Sequence, residues 1–127
     1  PDDGFQEEAA RIASVAGLES IAMNKKRVSD TKVEISLPQG ASVDGKVVAL
    51  TDDLISTGGT ILESSKILKE HGARRINVYC VHGLFVTGTS KYAGFVDSIT
   101  TTDTVEGPFS GISVASLVSS EVAPFIT

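Results

Sequence analysis

The chain has 127 residues, of which 41% are hydrophobic and 21% charged, with a formal net charge of −5. That size and balance suit one globular domain, and the acidic charge argues against non-specific nucleic-acid binding. No apolar run approaches the roughly 18 residues of a membrane span, and a single cysteine allows no internal disulfide, so a cytoplasmic protein with no membrane or nucleic-acid partner is expected.

Residues 1–4, PDDG, read as a turn, with Asp2 and Asp3 placed to cap a helix. Phe5, Ala9, Ile12, Ala13 and Ala16 then recur at helical spacing, with Gln6, Glu7, Glu8 and Arg11 on the opposite face and Gly17 as the stop signal. Residues 19–23 are expected as a strand. Residues 24–31, NKKRVSDT, are polar and carry three adjacent cations. They read either as a solvated hairpin tip or, with the flanking strands, as a flap over a site. Residues 32–37 alternate as a half-exposed strand, and residues 38–45 form a turn-rich connection.

The chain is organised around residues 47–60, VVALTDDLISTGGT. Residues 47–50 are a short apolar run of the kind that makes a buried parallel strand. Asp52 and Asp53 set two carboxylates where that strand is expected to end. Ser56, Thr57, Gly58, Gly59 and Thr60 follow as a small polar turn leading into a helix over residues 61–71. Free amides at a helix start favour an anion, glycines let the backbone approach it, and hydroxyls add hydrogen bonds. The carboxylates suit sugar hydroxyls or a magnesium ion bridging to the ligand. A sugar phosphate meets both demands. The plainer alternative is an ordinary strand-to-helix turn with a threonine cap. No GK[ST] follows the glycines and no GxGxxG is present, so neither a Walker loop nor a dinucleotide fingerprint is implied.

Gly72 is the expected stop of that helix, and His71 reads as a surface residue complementing its dipole. Residues 74–81 return as a buried strand in which Cys80 is a small core residue rather than a nucleophile. A short helix is expected over residues 86–93, a strand over 97–101 and a polar turn at TTDT; residues 112–122 fit either a strand or a helix. The repeated helix–glycine–strand order predicts an α/β fold of three layers, a mainly parallel sheet with helices on both faces. Ligands in such sheets bind outside the carboxyl ends of strands. Asp52-Asp53, His82-Gly83 and Thr102-Asp103-Thr104 are all expected there.

The TDDLISTGGT stretch resembles the phosphoribosyl-diphosphate (PRPP) motif of the type I phosphoribosyltransferase fold. Taken with PDDG before the first helix, the NKKR run, VHGLF and TTDT, the order resembles the C-terminal half of ribose-phosphate pyrophosphokinase (PRPP synthetase). The resemblance implies one phosphoribosyltransferase-like domain over residues 1–127, completed in a longer two-domain enzyme by an N-terminal half, and a homo-oligomer at full length. It implies diphosphoryl transfer from Mg-ATP to ribose 5-phosphate, giving PRPP and AMP. Lys25 and Arg27 match the two cations of the family's catalytic loop. Asp52 and Asp53 would face the ribose hydroxyls, and Ser56, Thr57, Gly58, Gly59 and Thr60 would hold the 5-phosphate. Asp2 is the candidate magnesium ligand. Two further readings stand beside this one: a phosphoribosyltransferase that consumes PRPP, and a non-catalytic sugar-phosphate-binding regulatory module.

Overall fold

The computed structural model describes residues 3–126. Helix α1 (Gln6–Ala16) ends where Gly17 turns left-handed at φ 69°, as its position after the last periodic residue predicts. Strands β1 (Asn24–Arg27) and β2 (Val33–Ser36) form an antiparallel hairpin. The rest is a parallel sheet in the order β3-β4-β5-β6, built from β3 (Val47–Ile55), β4 (Arg75–Gly83), β5 (Ser98–Thr102) and β6 (Ser110–Ile112). Helix α2 (Gly59–Glu70) connects β3 to β4, and α3 (Ala115–Val122) follows β6. The architecture is the expected α/β class with a mainly parallel sheet.

The core lies between α2 and one face of that sheet. Leu50 of β3 pairs with Val78 of β4, and Val48 with Ile76, so their side chains share a face. Ile61 and Leu68 of α2 are almost wholly buried in the same core as Leu50, Ile76 and Val78. Each such side chain contributes about 1.5–3 kcal/mol on leaving water. Ser64 and Ser65, both at 0% exposure, are small enough for close packing of the helix, and Ser65 returns its hydroxyl to the Ile61 carbonyl at 2.7 Å.

Several expected boundaries shift. Residues 19–23 form no strand; pairing begins at Asn24, and the cations Lys25, Lys26 and Arg27 sit in β1 rather than in a loop. Strand β3 continues past Leu50 to Ile55, so Asp52 and Asp53 lie inside it. The ladder to β4, with Asp52 opposite Cys80 and Leu54 opposite His82, overrides the poor strand propensity of aspartate. Residues 86–93 contain turns and one 3₁₀ turn, Ser90–Tyr92, in place of a helix. Residues 112–122 divide into the end of β6 and helix α3.

The outer edge of β3 has no strand partner among the described residues. Between that edge, α1 and residues 18–23 runs an apolar cleft of about 460 Å3. Among the described residues no helix is long and apolar enough to cross a membrane.

Candidate functional site

Strand β3 delivers the site and α2 receives it. The loop between them bends at Gly58, whose φ of 77° is left-handed. No side chain caps α2, so its first amides keep their hydrogens for a ligand. A cavity of about 300 Å3 opens at this point, lined by the continuous run 52–61 and by Lys25 of β1. Asp52, Asp53, Ser56, Thr57, Gly58, Gly59 and Thr60 are therefore all brought together, with one of the two expected cations facing them. Arg27 is exposed, and alternation along β1 puts it on the same face as Lys25, but it does not line the cavity. Asp2 lies outside the described residues.

The two carboxylates differ. Asp53 is exposed, whereas Asp52 is 6% exposed and accepts the Asp53 backbone N–H at 3.0 Å. Burial pushes the Asp52 carboxyl up to about 6, with the neighbouring Asp53 side chain adding to the rise. A cation or a hydroxyl-rich ligand would reverse that penalty by supplying charge or donors. Among the described residues no group of three or more His, Cys, Asp or Glu side chains could hold a metal alone. Magnesium asks for less, usually one or two carboxylates with the remaining positions filled by water and substrate phosphates. The Asp52–Asp53 pair beside an anion loop fits that pattern.

Cys80 donates to the carbonyls of Asp53 at 3.5 Å and His82 at 3.3 Å, and burial pushes its thiol up to about 11. A thiol held neutral is a poor nucleophile, in line with its core assignment. At the ends of β4 and β5, His82 Nδ1 lies 2.7 Å from the Thr104 hydroxyl, and Thr102 and Thr104 both donate to the Val81 carbonyl. Asp103 instead accepts the Val114 N–H at 2.9 Å, which holds its carboxyl below the usual range. It serves the entry to α3.

Sequence reasoning missed the contacts behind the loop. Leu84 N–H donates to the Ile55 carbonyl at 2.9 Å, Val86 N–H to Ser56 at 3.0 Å, and the Thr87 hydroxyl to Thr57 at 3.0 Å. Lys91 Nζ also bonds the Thr57 carbonyl, and Tyr92, 3% exposed, packs beneath Gly58. No local signal marks these residues, because they lie about thirty positions from the loop they touch.

The phosphoribosyl transferase domain family matches residues 7–112. The chain belongs to that family. It is 47% identical over 115 residues to the ribose-phosphate pyrophosphokinase of Thermoplasma volcanium, covering 90% of this chain and 40% of that protein. The Thermoplasma acidophilum protein of the same name is 44% identical over 124 residues, covering 97% of this chain and 43% of the relative. The crystal structure of phosphoribosylpyrophosphate synthetase from Mycobacterium smegmatis superposes with a TM-score of 0.72 at 26% identity, over 98% of this chain and 43% of that one. The chain thus spans about two-fifths of the length of these relatives. The family resemblance carried by the loop and strand-end motifs is borne out.

Proposed function

We propose that this chain is the ribose 5-phosphate-binding half of a ribose-phosphate pyrophosphokinase, working in the cytoplasm on ribose 5-phosphate and ATP. The observation that carries the reading is the convergence of an uncapped helix start, two strand carboxylates and Lys25 on one cavity. The amides and hydroxyls of residues 57–60 suit the 5-phosphate, and Asp52 and Asp53 suit the ribose hydroxyls. Either carboxylate would also serve as a ligand to magnesium, which supplies charge neutralisation for transferring phosphates.

The chemistry assigned to the chain is attack of the ribose 1-hydroxyl on the β-phosphorus of ATP. The new bond joins the ribose oxygen to the β-phosphorus. The bond from the β-phosphorus to the oxygen bridging the α- and β-phosphates breaks, AMP leaves with that electron pair, and the proton of the ribose hydroxyl passes to solvent. Negative charge spreads over the phosphoryl oxygens in such transfers, so positioned cations carry much of the catalysis. Lys25 offers a point charge at the cavity mouth and Arg27 a planar fork two residues along the same strand. Their hairpin is two strands held by a tip in which Val28 N–H meets the Lys32 carbonyl at 2.9 Å. A two-strand unit is marginal on its own and is suited to closing over a ligand.

The reading assigns the nucleotide and the subunit contacts to a second, N-terminal half and to a homo-oligomer. The exposure of Val15 (87%), Leu117 (67%) and Phe125 (88%) supports surfaces made to be covered by other protein. Isothermal titration calorimetry tests the core of the reading. The chain alone should bind ribose 5-phosphate, and Thr57→Ala should weaken that binding about 10- to 150-fold, the loss of one hydrogen bond to an ionised group. Adding the matching N-terminal half should start PRPP synthesis, because positioning both substrates is worth about 7–11 kcal/mol of the barrier. Robust synthesis by the chain alone, or no binding of the sugar phosphate, would refute it.

A further inference from the structure

We propose that residues 84–92 are a strap that sets the anion loop before ligand arrives, with Lys91 as its positioning residue. The proposal rests on the sugar-phosphate reading of the cavity, and its geometry stands on the loop alone. Three successive carbonyls, that of Ile55 at the end of β3 and those of Ser56 and Thr57 in the loop, accept hydrogen bonds from this one segment. A trans peptide is planar, and its C=O and N–H point in opposite directions. Holding those carbonyls toward the strap therefore aims the N–H groups of Ser56, Thr57 and Gly58 away from it. The strap contributes no residue to the cavity lining, while residues 52–61 do, so amides aimed away from the strap are free to face the cavity. The N–H groups of Thr57 and Gly58 have no acceptor among the described residues.

Lys91 closes the strap. Its ammonium bonds the Thr57 carbonyl and, at 2.6 Å, the Thr87 hydroxyl, which itself donates to Thr57 at 3.0 Å. The ammonium also sits 5.5 Å from the Tyr92 ring centre. Tyr92 is buried below Gly58, with Phe85 edge-on at 6.3 Å. The cation thus joins the loop to a packed aromatic floor. A loop already in its binding conformation spares the ligand the cost of selecting it. Apparent affinity falls in proportion to the fraction of molecules in the competent state.

The test compares Lys91→Met, Lys91→Arg and, as a control on the exposed Lys66–Glu63 pair of α2, Lys66→Met. Two measurements are made on each: backbone 15N order parameters of the ligand-free chain, and calorimetric affinity for ribose 5-phosphate. In the wild-type chain residues 56–59 should be as ordered as rigid backbone, near 0.85, and Lys91→Met should lower them toward 0.6. If the competent fraction falls to about one tenth, affinity falls about tenfold. Arginine, which keeps both donors and charge, should recover most of it, and Lys66→Met should change neither quantity. The melting temperature should stay near wild type throughout. Unchanged loop order in Lys91→Met, a loss of order with unchanged affinity, or a disordering spread over the whole chain would each overturn the proposal. A wild-type chain that does not bind ribose 5-phosphate, yet shows loop order dependent on Lys91, would refute the functional reading and leave the strap standing.

Discussion

Adjacent glycines in the anion loop should respond oppositely to the same methyl group. At Gly58 the backbone is left-handed, and a Cβ would collide with Tyr92 Oη and lie 2.8 Å from Tyr92 Cζ. The left-handed conformation costs an alanine about 1–2 kcal/mol. Forcing aside a ring that is 97% buried adds about 1–3 kcal/mol of overpacking. Gly58→Ala should therefore lose roughly 2–5 kcal/mol, which lowers the melting temperature by about 6–20 °C for a domain of this size. At Gly59 the nearest foreign atom to a Cβ is Thr57 Oγ1 at 4.0 Å, and the residue begins α2. Alanine there should leave the melting temperature unchanged or raise it, by up to about 1 kcal/mol of helix propensity. Its methyl would enter the cavity and weaken ribose 5-phosphate binding. Circular-dichroism melts of the two variants decide the matter. Tyr92→Phe supplies the internal check. Alone it removes a buried hydroxyl that has no partner, so it should not destabilise. Combined with Gly58→Ala it should recover much of the overpacking loss but not the conformational loss. Equal melting temperatures for the two alanine variants would refute the account of the loop.

Asp52 predicts a pH dependence. Its carboxyl is raised in the folded chain from an ordinary 3.8 to about 6, so its contribution to stability is fully present below about pH 4 and lost as pH rises through about 6. Asp52→Asn, which keeps an oxygen for the Asp53 N–H, should match the wild type near pH 4 and exceed it at pH 7 by up to about 3 kcal/mol. Urea unfolding at the two pH values checks this, and a wild type that gains on the variant as pH rises would reverse the assignment. In a preparation containing both halves, Lys25→Ala and Arg27→Ala should each lower the turnover number at least about a hundredfold. The affinity for ribose 5-phosphate should change little; steady-state kinetics with near-normal turnover would return β1 to a solvated hairpin.

Helix α1 and the β3–α2 junction were legible because their signals are local. Apolar spacing gives a helix its face, Gly17 supplies a left-handed stop, and TGGT permits a tight turn into a helix whatever surrounds it. The carboxylate pair and the cations could be named as site residues for the same reason, since residue type and neighbours sufficed to suggest the chemistry. Tertiary structure decided what depends on a partner. Residues 19–23 run beside the open edge of β3 but pair with no strand among the described residues, while Asn24–Arg27 are strand because β2 pairs with them. Pairing with β4 drew Asp52 into the strand, and packing on the covered face buried it, separating two adjacent aspartates into an exposed and a buried carboxyl. Closure of the chain over some thirty residues brought Thr87, Lys91 and Tyr92 behind Thr57 and Gly58. Hydrogen-bond partners and burial are properties of where distant segments meet, and a window of neighbouring residues holds no record of them.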